Sequence, residues 1–92
     1  MTERESLWYL INGLNNNEYD IKTFCSEFTR IFDLELDYTE LTSEESKEFY
    51  ELCEMAGRFS DDKEELLIPN MYCNENVIRE KVTHIINNVE NK

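Results

Sequence analysis

Leu7, Leu10, Ile11 and Leu14 recur at intervals of three and four, the spacing of one helix face, with Trp8 on its flank. Thr2-x-x-Glu5 ahead of them can form a capping box, and the run "NNN" at 15–17 ends the pattern, so a first helix is predicted between the two. Ile21, Phe24, Cys25, Phe28, Ile31 and Phe32 fall on one face within about 120°, giving a second helix that Asn17 can cap. A third begins at the capping box Thr42-x-x-Glu45 and buries Phe49, Leu52, Cys53, Ala56 and Phe59, with Gly57 loosening its last turn. The fourth starts at an Asn74 cap and lines up Ile78, Val82, Ile85, Ile86 and Val89, with Val77 at the edge.

Between the third and fourth helices runs "SDDKEELLIPNMYC", where Pro69 interrupts any helix. Its Leu66, Leu67, Ile68, Met71 and Tyr72 are expected to cover one end of the core. No stretch alternates with period two for long enough to make a strand. The pattern predicts an all-α protein, an antiparallel four-helix bundle forming a single domain over residues 1–92. A chain of this length buries only about 60–65% of its unfolded surface, which leaves little room for a deep enzyme cleft.

Charge changes this picture. The net charge of −12 sits on a chain that is 40% apolar, with eleven aromatics, too apolar for a disordered acidic tail. It disfavours nucleic acid or an anionic membrane as direct ligand and favours a basic partner, a protein surface or a metal cation. Residues 1–32 carry five acids against three bases, residues 33–65 thirteen against three, and residues 66–92 three against three. The middle third thus holds −10 of the −12. On the third helix, Glu44, Glu48 and Glu51 fall on one line with Glu54 beside them, opposite the apolar stripe. Asp61, Asp62, Glu64 and Glu65 follow directly. A solvated helix face is the usual meaning of such a run, with Lys47 and Arg58 pairing locally with Glu51 and Glu54. Because the bias crosses three segments without compensating bases, an electrostatic recognition surface is expected instead.

The segment "DLELDYTELTSEE" also places Asp33, Glu35, Asp37 and Glu44 at positions 1, 3, 5 and 12 of an EF-hand-like loop. Against a calcium site, position 6 is Tyr38 rather than Gly, position 8 is Glu40, and no second loop exists. Cys25, Cys53 and Cys73 lack metal or redox spacing and read as buried thiols of a reducing compartment. His84, the one histidine, projects away from its helix's apolar stripe, and no nucleophile–base arrangement or phosphate loop is visible. We therefore expect no enzyme activity and no cofactor. The N-terminal "MTERESLWYL" lacks a basic n-region and a long apolar run, so neither a signal peptide nor a membrane span is expected, and the location expected is cytoplasmic.

With the residues laid out this way, the chain resembles the colicin D immunity protein family, which includes immunity proteins of contact-dependent growth inhibition systems. The resemblance runs from about Leu10 to Val89 and rests on "LINGLNNNEYDIKTFCSEFTRIFD", "MAGRFSDDKEE" and "MYCNENVIREKV". It implies a four-helix protein that binds a nuclease toxin domain, commonly a tRNA-cleaving one, and blocks its active-site cleft. By position, it implies that Arg58 and Phe59 close the third helix and that Asp61, Asp62, Glu64 and Glu65 form an acidic loop facing the toxin.

Electrostatics leads the same way: a nuclease cleft is basic to hold phosphates, so a folded protein with clustered carboxylates competes for the same potential. The expected toxin-facing residues are Asp37, Glu40, Glu44, Glu48, Tyr50, Glu51, Asp61, Asp62, Glu64 and Glu65. Tyr38, Tyr50 and Tyr72 are candidate anchors, with boundary packing the plainer role for Tyr72. The alternatives are a calcium-binding regulator using the EF-hand-like loop and a general mimic of nucleic acid.

Overall fold

Thr2 opens the first helix, α1 (Glu3–Asn15), through both halves of the expected capping box: its hydroxyl accepts from the Glu5 N–H at 3.1 Å, and the Glu5 carboxylate accepts from the Thr2 N–H at 3.1 Å. These contacts come from a computed structural model that describes residues 2–90, the Tyr38 side chain excepted. Asn17 then takes a left-handed conformation (φ 57°), which turns the chain toward α2 (Ile21–Arg30). The expected Asn17 cap is therefore corrected. Asp20 caps α2, accepting from the Thr23 N–H at 3.0 Å, because Asn17 is used to end α1.

α2 runs on into a widened π turn, Ile31–Glu35, and a short 3₁₀ turn, Tyr38–Glu40, leads to α3 (Ser43–Gly57). Thr42 and Glu45 complete the second capping box. A single-turn helix not foreseen from the sequence, α4 (Lys63–Leu66), interrupts the acidic connection, and α5 (Glu75–Ile85) begins at its expected cap, where Asn74 accepts from the Val77 N–H at 2.9 Å. A second π turn, Ile86–Glu90, closes the described chain. The protein is all-α, and no helix among the described residues is long and apolar enough to cross a membrane.

α1 and α3 each pack against both α2 and α5, so the four longer helices enclose one core. Its centre is aromatic. Phe28 stacks between Phe24 and Phe32, with ring centroids at 5.3 and 6.2 Å, and meets the edge of Phe49 at 6.0 Å; Trp8 meets Phe49 edge-on at 5.1 Å. Leu7, Ile11, Leu14, Leu52, Ile78 and Ile85 are fully buried around these rings.

One expectation about the core holds in part and another fails: Phe59 packs against the core but not from the helix, and the segment after it stays outside. Phe59 lies beyond the end of α3 and is half-buried, in an isolated parallel bridge to Cys73, because the helix stops at Gly57. The segment 66–72 covers no end of the core: Leu67, Ile68 and Met71 are exposed, and only Leu66 and Tyr72 are half-buried.

The two glycines sit in opposite surroundings, which gives a direct test of the packing. A Cβ on Gly13 would lie 2.5 Å from the Tyr19 ring, whose hydroxyl donates to the Leu10 carbonyl; a Cβ on Gly57 would meet nothing within 4 Å. Gly57→Ala is expected to stabilise by about 0.5–1 kcal/mol through helix propensity. Gly13→Ala is expected to destabilise by about 1 kcal/mol, because displacing Tyr19 outweighs that gain. Thermal unfolding followed by circular dichroism separates them, and shifts of the same sign would show that Tyr19 does not rest on Gly13.

Candidate functional site

The expected acidic surface starts on α3. Glu48 and Glu51, one turn apart, converge on a base that the sequence reading missed: Lys81 of α5 donates to Glu48 Oε2 at 2.5 Å and to Glu51 Oε2 at 2.6 Å. Burial alone would lower the Lys81 pKa, but the two carboxylates raise it above the ordinary lysine value. The expectation that this face lacks compensating bases is therefore corrected: a cross-helix clamp from Lys81 holds Glu48 and Glu51. Lys81 lies 33 positions from Glu48, outside the i, i+4 range in which sequence pairing is read.

Glu45 departs furthest from expectation. It stands at helical spacing with Phe49, Leu52 and Ala56, so it projects inward and is 2% exposed. Arg4 Nε donates to both of its oxygens, at 2.9 and 3.0 Å; Trp8 Nε1 donates to Oε2 at 2.6 Å, and the Thr42 N–H donates to Oε1 at 2.9 Å. Burial pushes this carboxyl up, but the bonds from Arg4, Thr42 and Trp8 outweigh it and hold the group below its usual range. Glu45 thus ties α1 to α3 and is no part of the surface. An acid in register with an apolar stripe was the signal that could have revealed it.

The remaining expected residues reach the surface. Asp37, Glu40, Glu44, Asp61, Asp62 and Glu64 are exposed, and Tyr50 is 57% exposed with Glu54 raising its phenol above the ordinary range. Asp37 accepts from the Thr39 N–H and hydroxyl at 3.0 and 2.7 Å, and Asp61 pairs with Lys22 at 3.2 Å. Asp62 caps α4 by accepting from the Glu64 N–H at 2.8 Å; Glu65, half-buried, accepts from the Ser60 hydroxyl at 2.6 Å. Arg30 takes Glu35 at 2.6 Å. Four bases from outside residues 33–65, namely Arg4, Lys22, Arg30 and Lys81, thus pair with acids inside them.

The EF-hand-like spacing is not realised as a metal site. Asp33 and Glu35 end in the π turn, Glu35 is held by Arg30, and Asp37 is bonded to Thr39. No group of three or more His, Cys, Asp or Glu side chains among the described residues is placed to hold a metal ion. Without Gly at the sixth position, the chain leaves the π turn through an extended Leu36 and enters a short 3₁₀ turn at Tyr38 instead of wrapping around an ion. The Tyr38 side chain, one of the expected anchors, lies outside the described residues.

Other reactive groups are set for packing. Burial pushes the Cys25 and Cys53 thiols up to about 12, which leaves them protonated and inert near neutrality, and Cys73 is half-buried. His84 is exposed, as its position on α5 predicts. A groove of about 340 Å³ lies between α4 and the start of α5, with Ile21, Phe59 and Leu66 among its lining residues. Its two carboxylates, Asp61 and Glu75, are paired with Lys22 and Arg79. Compared with known protein families, curated proteins and solved structures, the chain gives no significant match to any.

Proposed function

We propose that this chain is an immunity protein that acts in the cytoplasm, by binding rather than by catalysis, and neutralises a cognate nuclease toxin domain. Its acidic surface covers the basic active-site cleft in which the toxin would hold a nucleic acid, a tRNA substrate being the first to try. The observation that carries this reading is the concentration of charge: thirteen acids against three bases between residues 33 and 65. Exposure of Asp37, Glu40, Glu44, Asp61, Asp62 and Glu64 supports it, since a surface must be open to be read. We also propose that α1, α2, α3 and α5 form an antiparallel bundle, which agrees with each helix packing on two of the others.

Local pairing narrows the surface. Glu48 and Glu51 are partly neutralised by Lys81 and Asp61 is paired with Lys22, so the steering charge is assigned mainly to Asp37, Glu40, Asp62 and Glu64. Tyr50, exposed beside Glu54, is the aromatic anchor of this surface.

The test co-produces the chain with a candidate nuclease domain sought among the genes flanking its own. Cells making that domain are expected to survive when the chain is co-produced, and the two proteins to purify as a complex. Association should slow by about tenfold or more between low salt and 0.5 M NaCl, as charge steering requires. Absence of a complex together with absence of protection defeats the proposal. A general nucleic-acid mimic would instead bind several unrelated nucleic-acid enzymes with similar affinity.

A further inference from the structure

The segment between Phe59 and Cys73 leaves the bundle and returns to it. Its ends are fastened by two backbone bonds, Ser60 N–H to the Cys73 carbonyl and Cys73 N–H to the Arg58 carbonyl, both 2.9 Å. Inside, the buried Ser60 hydroxyl donates to Glu65 and accepts from the Asp62 N–H at 3.0 Å. The Ile68 N–H bonds the Glu65 carbonyl at 3.0 Å, and Asn70 takes a left-handed conformation (φ 63°) after Pro69. This is an internally bonded loop, held by backbone and polar bonds.

Three of its apolar side chains face outward. Leu67 is 81% exposed, Met71 53% and Ile68 44%, three large apolar groups within five residues. Exposed apolar residues scattered singly need no explanation, but a group carried on one ordered turn marks a contact surface. The flanking charge identifies the occupant. Residues 61–72 hold four acids and one base, so the apolar turn is bordered by negative charge and matches a partner with a positive rim. A second copy is a poor fit, because a symmetric contact would bring the same acids of two −12 chains together.

We propose that Leu67, Ile68 and Met71 form the apolar centre of the interface with a basic protein, and that Asp62 and Glu64 form its steering rim. Taking that partner as the nuclease domain rests on the function proposed above. The acids then set how fast the partner arrives, and the apolar turn sets how long it stays.

The experiment measures binding kinetics between the intact chain and a catalytically disabled form of that candidate nuclease domain. The triple substitution Leu67→Ala/Ile68→Ala/Met71→Ala should raise Kd by about 30-fold, nearly all of it in dissociation, with Tm and helicity unchanged. Glu64→Lys should slow association several-fold at low salt, and the difference should vanish at 0.5 M NaCl. If the natural chain binds and both variants bind equally well, the docking loop is overturned while the immunity function stands. If the natural chain does not bind, both fall. A triple variant with a clearly lower Tm assigns these side chains to folding and overturns the proposal. A free chain that is dimeric, and becomes monomeric in the triple variant, overturns it in favour of self-association.

Discussion

Phe28→Ala is expected to cost about 4 kcal/mol and to lower the midpoint of thermal unfolding by about 20 °C. The ring is fully buried and touches three others, Phe24, Phe32 and Phe49, so truncation removes its own burial and leaves their faces without partners. For a domain of this length, total stability is on the order of 5–10 kcal/mol, so the variant should retain only about 1–6 kcal/mol and unfold at a markedly lower urea concentration. Phe28→Leu keeps most of the volume and should cost only about 1–1.5 kcal/mol. Urea unfolding followed by circular dichroism measures both. An alanine variant within 1 kcal/mol of the natural chain would mean that the aromatic column is not the centre of the core.

Glu45→Ala should be nearly as damaging, about 3 kcal/mol at pH 7, although it changes a charged residue. It removes the acceptor for Arg4, Trp8 and the Thr42 N–H together, and it leaves the Trp8 and Thr42 donors unsatisfied beside a cavity. The pH dependence follows from the direction of the shift. The folded carboxyl is held below its ordinary value of 4.5, so its contribution is complete above that value and is lost as pH falls through the lowered one. Stability of the natural chain should therefore decline on acidification below about pH 4.5, with Glu5, Asp20, Asp37 and Glu51, also lowered, adding to the slope. Glu45→Gln, measured by urea unfolding at pH 3, 4 and 6, should show a shallower decline. An unchanged slope would indicate that folding does not lower the pKa of this buried acid.

These two sites also mark what could be read in advance. The helices were legible because each declares itself locally: Thr2 with Glu5, Thr42 with Glu45 and Asn74 are starting signals, and the apolar stripes supply the inward faces. The second cap was misassigned because Asn17 and Asp20 are chemically alike, and the choice between them depends on the left-handed turn that ends α1. Phe59 kept the helical spacing in sequence, but Gly57 and Arg58 end the helix before it. The site was less legible because charge pairing is set by tertiary contacts. Lys81 meets Glu48, Arg4 meets Glu45 and Lys22 meets Asp61 across long separations that no local spacing encodes. Leu67, Ile68 and Met71 were assigned to the core because they are apolar, yet apolarity permits burial without requiring it.

The fastening of the 59–73 segment has a consequence for how such a protein can change. Two backbone bonds close the loop at its base, and these do not depend on which side chains the loop carries. Doubling the length of a flexible loop costs only about 0.6 kcal/mol, and substitutions at exposed positions away from special contacts shift stability by about 0.5 kcal/mol or less. The bundle can therefore tolerate rewriting at the exposed positions Lys63, Glu64, Leu67, Ile68 and Met71 while Phe28, Phe49, Glu45 and the bond between Ser60 and Glu65 stay fixed. On the function proposed, partner choice and foldability rest on separate sets of residues, so a lineage can follow a changing partner without re-solving its own core.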